Sequence, residues 1–283
     1  MKIAVTGATG QLGRIVIEKL KEKIDAGSIV ALVRSSQKAA DLGVEIREAD
    51  YDMPELLGGA LQGVDVLVLI SGSEVGKRIL QHTNVIEAAQ KAGVKRIVYT
   101  SLLHADRSSL VLAGEHIATE TLLKNAGIPF TILRNGWYSE NYAGSVTGGL
   151  AAGAIMGSAG DGKISSASRK DYAEAIVAVV TTDGHQNKVY ELAGDEAFTM
   201  ADLAAEISKQ SGKDIAYTNL PLEEYASMLV KAGLPEGIAQ MYAGIDVSTS
   251  KGDLFDDSHQ LSKLIGHPTT PLKDVVAQML KGA

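Results

Sequence analysis

Cysteine is missing from this chain, and with it go disulfides, thiolate nucleophiles and cysteine-ligated metals. Positive charge is in deficit. The formal net charge is −7, and no basic run interrupts that balance. This argues against nucleic acid and anionic membranes as main partners, while one or two local cations still suffice for a phosphorylated ligand. No stretch approaches the roughly 18 apolar residues of a membrane helix. The apolar start is broken at Gly7, Thr9 and Gly10, too early for the core of a signal peptide, so a cytoplasmic location is the default expectation. The histidines, at positions 82, 104, 116, 185, 259 and 267, are scattered without H-x-x-x-H or similar spacing, and no metal site is expected. A G-x-S-x-G elbow is absent as well. What remains is a chain of 283 residues with 45% apolar residues, enough for one large domain or a domain with a smaller lobe.

What is present, and patterned, is glycine. Thr6-Gly7-Ala8-Thr9-Gly10-Gln11-Leu12-Gly13 lies between an apolar run at Lys2–Val5 that reads as a strand and an amphipathic run at Gln11–Lys23 that reads as a helix. In a strand-to-helix turn, the first glycine permits the turn and the second lets backbone approach a pyrophosphate. Gly13 lets helix and strand pack closely. The helix N-terminus then turns free N–H groups toward the phosphates. A second strand, Ser28–Val33, ends at Arg34, followed by Ser35, Ser36 and Lys38. An acidic residue here would hold the ribose 2′-hydroxyl of NAD; a guanidinium suits a 2′-phosphate instead. The expected cofactor is therefore NADPH, with NADH possible but weaker. A solvated arginine at a strand end is the plainer alternative.

Strand and helix patterns keep alternating through Val44–Ile46, Asp65–Ile70, Val75–Ala92, Lys95–Thr100, Gly114–Asn125 and Pro129–Leu133. Continuous apolar strands between helices predict a parallel sheet covered on both faces. The expected class is α/β, a doubly wound Rossmann-type NAD(P)-binding sheet over residues 1–135. A smaller α/β lobe of mixed strands and helices over 136–283, not an independent domain, completes it. Residues 144–162 are rich in Gly, Ala and Ser and read as a mobile loop or lid, or as a plain connector with small-residue packing. Capping signals at Ser168, Thr199 and Thr270-Pro271 mark three later helix starts, and Lys188–Ala193 reads as a strand.

Ligands of open α/β sheets bind at the carboxyl ends of strands. Asp50 there can accept from an adenine amino group, with Tyr51 along the base, or the pair can simply form a surface turn. Ser71, Gly72 and Ser73 suit close passage of a cofactor, as does Thr100 at the end of the fifth strand. Ser101 follows, in the position of a short-chain dehydrogenase serine. The Tyr-x-x-x-Lys pair that should come next is missing: residues 102–127 hold no tyrosine, and their only lysine is Lys124. His116 and Glu120 stand where the pair would fall. Either His116 donates a proton or contacts the substrate, or the acceptor takes hydride without a dedicated acid and catalysis rests on orientation. Beyond the sixth strand, Asn135 and Gly136 can meet the nicotinamide ribose or carboxamide. Trp137 and Tyr138 can wall a flat aromatic substrate, or anchor the second lobe.

GATGQLG, Arg34, GVKRIVYTS, the His-x-Ala-Thr-Glu helix and RNGWYSENY together resemble the NmrA-like atypical short-chain dehydrogenases, among them bacterial reductases of quinones and triphenylmethane dyes. The resemblance spans essentially the whole chain. It implies a monomer or homodimer that binds NADPH and reduces quinone-like or other small aromatic acceptors. Gly7–Leu12 would form the pyrophosphate turn, Arg34 the 2′-phosphate contact, and Asn135, Gly136, Trp137, Tyr138, Ser139 and Glu140 the nicotinamide side. His116 and Tyr138 are the candidates for chemistry. A redox sensor that binds NADP without turnover fits the missing pair equally well. A sugar-nucleotide epimerase, which needs the tyrosine, is disfavoured.

Overall fold

The structure, a computed structural model, describes residues 1–281. In chain order the first elements are β1 (Ile3–Val5), α1 (Gln11–Lys21), β2 (Ile29–Val33), β3 (Glu45–Glu48), α2 (Pro54–Ala60), β4 (Val66–Leu69) and α3 (Arg78–Ala92). They are followed by β5 (Arg96–Leu102), α4 (Ala113–Asn125), β6 (Phe130–Asn135), α5 (Ala143–Ala152), β7 (Ala154–Gly157), α6 (Arg169–Thr181) and β8 (Lys188–Leu192). The remainder comprises α7 (Met200–Ser211), β9 (Ala216–Asn219), α8 (Leu222–Lys231), α9 (Glu236–Ser250), α10 (Gln260–Ile265) and α11 (Leu272–Lys281). Two compact units divide the chain. One holds residues 1–105, 112–135 and 169–191; the other holds, of the described residues, 106–111, 136–168 and 192–281.

The first unit carries a seven-stranded sheet in the order β3-β2-β1-β4-β5-β6-β8, and every pair from β3 to β6 is parallel. Ile3–Val5, Ile29–Val33 and Val66–Leu69 are buried throughout, because helices cover both faces and an apolar side chain on either face leaves water. Tyr99, Leu67, Leu69, Ile97 and Ile132 form the centre of one core layer with Val85 and Ile86 of α3. Strand order reverses between β1 and β4, so a crevice opens above their carboxyl ends. The expected boundary at 135 needs correction, since residues 169–191 return to this unit. The reason is packing: Tyr172, Ile176, Val179 and Val180 of α6 are buried, and α6 lies against α1.

The second unit holds a parallel pair, β7 with β9, flanked by helices. Thr199 caps α7 as expected: its hydroxyl accepts from Asp202 N at 3.2 Å, and Thr199 N donates to Asp202 Oδ2 at 2.8 Å. The glycine-rich 144–162 stretch carries regular structure, with the small-residue packing expected of a connector. It forms α5 and β7, and the small residues serve close packing. A Cβ on Gly149 would stand 3.0 Å from Ile155 Cγ1 and 3.4 Å from Ile215 Cγ2.

Candidate dinucleotide site

In the first unit, β1, β2 and β4 end on one cleft of about 660 Å³, within the range of small-molecule sites. Gly7, Thr9, Gly10, Arg34, Asp50, Tyr51, Ser71, Gly72 and Ser73 line it. Gly7 has φ +58°, a left-handed conformation that L side chains avoid. A Cβ on Gly13 would lie 2.2 Å from Gly7 O, so α1 can start this close to the turn only with glycine. The first turn of α1 carries no acidic residue, while Lys19 and Lys21 occupy its last turn, where they match the helix dipole. The positive end is left open to an anion.

The other expected residues of the turn support the cleft rather than line it. Thr6 is buried; its hydroxyl donates to Val68 O at 3.2 Å and accepts from Ile70 N at 2.9 Å, joining β1 to the end of β4. Ala8 and Leu12 are buried in the core, and Gln11 is exposed outside the cleft lining. Thr100 is buried, and its Oγ1 accepts from Ser71 N at 2.9 Å, which ties the loop after β4 to β5.

Arg34 is well exposed and lines the cleft; the Glu74 carboxylate, from the opposite loop, lies 3.8 Å from its Nη1. Asp50 Oδ1 accepts from Asp52 N at 3.0 Å, so both readings of that residue meet: it closes a turn and still borders the cleft. Tyr51 donates to Ile70 O at 2.9 Å, and burial pushes its hydroxyl pKa up. Ser36 of the expected phosphate side is committed elsewhere, with its hydroxyl on Glu48 Oε1 at 2.9 Å. Arg14, Glu74 and Gln81 also line the cleft and escaped the sequence reading. Arg14 could have been found from its place directly after Gly13, in the first turn of α1.

The loop Ser71-Gly72-Ser73 is held by polar residues of α3, which sequence reading passed over because they lie on an unremarkable helix. Arg78 Nε donates to Gly72 O at 2.9 Å, and its Nη1 pairs with Glu115 Oε2 at 2.8 Å. Gly72 N donates to His82 Nε2 at 3.0 Å, which leaves the His82 proton on Nδ1, facing Thr119 Oγ1 at 3.0 Å. Thr119 in turn donates to Glu115 O at 3.0 Å.

The missing Tyr-Lys pair is replaced by buried structure. His116 is 5% exposed, with Nδ1 2.7 Å from Tyr99 Oη. Burial first, then the nearby Arg78 charge, pushes the imidazoles of His82 and His116 down to about 3. At neutral pH His116 is therefore the neutral ring. Glu120 is fully buried. It accepts from Ser101 Oγ at 2.7 Å and from Arg134 Nε and Nη2 at 2.9 and 2.8 Å. Arg134 Nη1 continues to Glu191 Oε1 at 2.8 Å.

Two buried neutral histidines make stability depend on pH. The unfolded chain takes up a proton on each near ~6.5, and the folded chain resists until about 3. The stability is therefore complete above the unfolded value and is lost as pH falls below it. From about pH 7.5 to 5.5 the expected loss from the two histidines is about 3 kcal/mol. The Asp246 carboxyl, lifted by burial to about 6, acts in the opposite sense. The readout is therefore the slope of unfolding free energy against pH, wild type minus His116→Asn. A variant with an unchanged slope would contradict the assignment.

Asn135, at the end of β6, is 3% exposed, and neither its Oδ1 nor its Nδ2 has a partner. An amide that is buried and unsatisfied on both atoms is costly, and it marks a place where a polar ligand is wanted. Gly136–Glu140 belong to the second unit. There Gly136 N donates to Leu192 O at 2.7 Å, Trp137 O accepts from Ala167 N at 3.1 Å, and Ser139 Oγ meets Ser166 Oγ at 2.9 Å. Trp137 and Tyr138 are half-buried and Glu140 is exposed.

An anion-ready helix terminus at a topological switch point, glycines that only close backbone approach explains, and an orphaned amide two strands beyond fit a dinucleotide. The sheet and its cleft define a nucleotide-binding α/β protein. The chain belongs to the NmrA-like family, whose model matches residues 1–272. It is 57% identical to quinone oxidoreductase 2 of Escherichia coli K12, over 98% of each chain. The crystal structure of an E. coli NADPH-dependent quinone oxidoreductase complexed with NADPH superposes with a TM-score of 0.96, at 56% identity over 98% of this chain and 99% of that one. Citrobacter sp. triphenylmethane reductase complexed with NADP(H) gives a TM-score of 0.93 at 42% identity, over 98% of this chain and 100% of that one.

Proposed function

We propose that this chain is an NADPH-dependent reductase that passes hydride to quinones or related conjugated acceptors. The observation that carries the reading is the near-full-length likeness to a quinone oxidoreductase, 57% identical over 98% of both chains. Bound NADPH would supply the hydride. The amides of Gly7–Leu12 hold its diphosphate at the start of α1, Arg34 takes the 2′-phosphate, and Asp50 and Tyr51 border the adenine. Ser71, Gly72 and Ser73 let the cofactor pass close to backbone, with Thr6 and Thr100 fixing the strand ends beneath them. Asn135 satisfies its amide on the nicotinamide end, and Gly136–Glu140 follow it. With His116 neutral and Glu120 paired, neither residue in the place of the missing pair acts as an ionised acid. Orientation of the acceptor then carries the rate, which suits substrates whose reduced form is stabilised by conjugation. Tyr138 is retained as a contact to the acceptor.

Purified protein mixed with NADPH and a set of simple benzoquinones and naphthoquinones should show acceptor-dependent loss of the reduced cofactor. Tight NADPH binding with no oxidation by any of them would favour the sensor instead. Arg34→Ala should weaken NADPH roughly 10- to 100-fold, the equivalent of one or two charge-assisted hydrogen bonds, and leave NADH within about threefold. Equal losses for both cofactors in calorimetry would remove Arg34 from the 2′-phosphate.

A further inference from the structure

The corner of the cleft that Arg34 borders also holds a carboxylate. Arg14, Arg34, Lys38, Asp50 and Glu74 are the charged residues of the cleft lining. Arg14 is committed to Asp41 Oδ2 at 2.8 Å and to Lys38 O at 2.6 Å, and Asp50 closes its own turn through Asp52 N. Arg34 and Glu74 instead face each other from the loops after β2 and β4, with Glu74 Oε1 3.8 Å from Arg34 Nη1. The backbone that carries Glu74 is pinned on both sides. Before it, Ser71 N donates to Thr100 Oγ1 at 2.9 Å, and Gly72 is held through N by His82 and through O by Arg78. After it, Gly76 N donates to Glu115 Oε1 at 3.0 Å, and Lys77 N donates to Glu74 O at 3.2 Å. The carboxylate is thus free to turn about its side-chain bonds while its backbone stays at the cleft. It is ionised at neutral pH, because Lys77, with Nζ 2.9 Å from Oε2, holds it below the usual carboxylate range.

We propose that Glu74 is a specificity-determining residue of this cleft: it opposes the 2′-phosphate that Arg34 attracts, and so narrows the preference for NADPH over NADH. This role rests on the cofactor reading above, in which Arg34 takes the 2′-phosphate. A phosphate with nearly two negative charges, about 5 Å from a carboxylate, is repelled even in water-like surroundings, by enough to change affinity roughly three- to tenfold after screening. The 2′-hydroxyl of NADH meets no such repulsion, and a carboxylate is the group that accepts its hydrogen bond in NAD-binding sheets. In those sheets the acid follows the second strand. Here Arg34 has that place, and the acid comes from the loop after β4. Lys77 offsets part of the charge, but it pairs with Oε2, while Oε1 keeps facing Arg34. An exposed ion pair of this kind adds almost nothing to stability, so holding the fold does not account for it.

The test is calorimetric titration of the full-length protein with NADPH and with NADH, at about 20 mM and again at about 500 mM salt. At low salt Glu74→Gln should strengthen NADPH roughly three- to tenfold and leave NADH within about twofold, since the amide oxygen still accepts from a hydroxyl. Glu74→Lys should strengthen NADPH further. At high salt the Debye length falls to about 4 Å, and the gain in Glu74→Gln should shrink to less than about twofold. A purely structural effect would not respond to salt in this way. Glu87→Gln makes the same change in net charge on the later half of α3 and should alter neither affinity. Arg34→Ala in the same titrations separates this role from the reading beneath it. Equal losses for both cofactors, or no binding of either by wild type, overturn both. Selective loss of NADPH in Arg34→Ala, with an unchanged or reduced NADPH preference in Glu74→Gln and Glu74→Lys, overturns the role of Glu74 alone, as does a gain that high salt leaves intact.

Discussion

Glu120→Ala is expected to lower the unfolding free energy by roughly 3–5 kcal/mol, because it strips a buried guanidinium of its bidentate partner. For a chain of this size that is a fall in Tm of roughly 6–15 °C. Glu120 is fully buried and takes two Arg134 nitrogens at 2.9 and 2.8 Å, with the Ser101 hydroxyl at 2.7 Å. Glu191 retains its own contact with Arg134 at 2.8 Å, so the loss should fall toward the lower end. The companion experiment is Glu120→Leu with Arg134→Met, which removes both charges and should recover at least about half of the loss. A single variant melting within about 1 °C of wild type would show that the network adds nothing to stability. The result matters for function, since these residues fill the place where related oxidoreductases keep Tyr and Lys. Here the space is used to hold α4 against the sheet.

The second large effect is expected from Gly13→Ala. By helix propensity alone, alanine inside a helix gains about 1 kcal/mol over glycine. Here the new Cβ would lie 2.2 Å from Gly7 O and 2.8 Å from both Gly7 C and Ala8 Cα. All three are backbone atoms of the turn, so the turn or the helix must move. Overpacking of this kind costs about 1–3 kcal/mol, which outweighs the propensity gain. Displacement of the amides proposed to hold the diphosphate should reduce NADPH affinity by roughly 100-fold or more. Gly58→Ala and Gly59→Ala are the controls: both lie in α2, nothing stands within 4 Å of either added Cβ, and each should stabilise slightly. Wild-type NADPH affinity in Gly13→Ala, measured by calorimetry, would contradict the role given to this turn.

Local pattern alone determined much of this molecule. The run Ile29–Val33, apolar at each position, can only be a strand covered on both faces, and the Gly7–Gly13 spacing places a tight turn before a helix. Arg34, Asp50, Tyr51 and Ser71–Ser73 were legible as cleft residues because parallel strands end on one edge, so strand ends in sequence become neighbours in space. Three things were decided only by tertiary structure. The pKa of His116 depends on burial beside Tyr99 and Arg78, which come from other elements. The return of α6 and β8 to the first unit depends on which apolar faces find each other. The raised pKa of Asp246 depends on burial of its place on α9, which brings its carboxylate to Ser158 N just beyond β7. Charge, burial and solvation are properties of surroundings, and distant parts of the chain supply those surroundings only once it has folded.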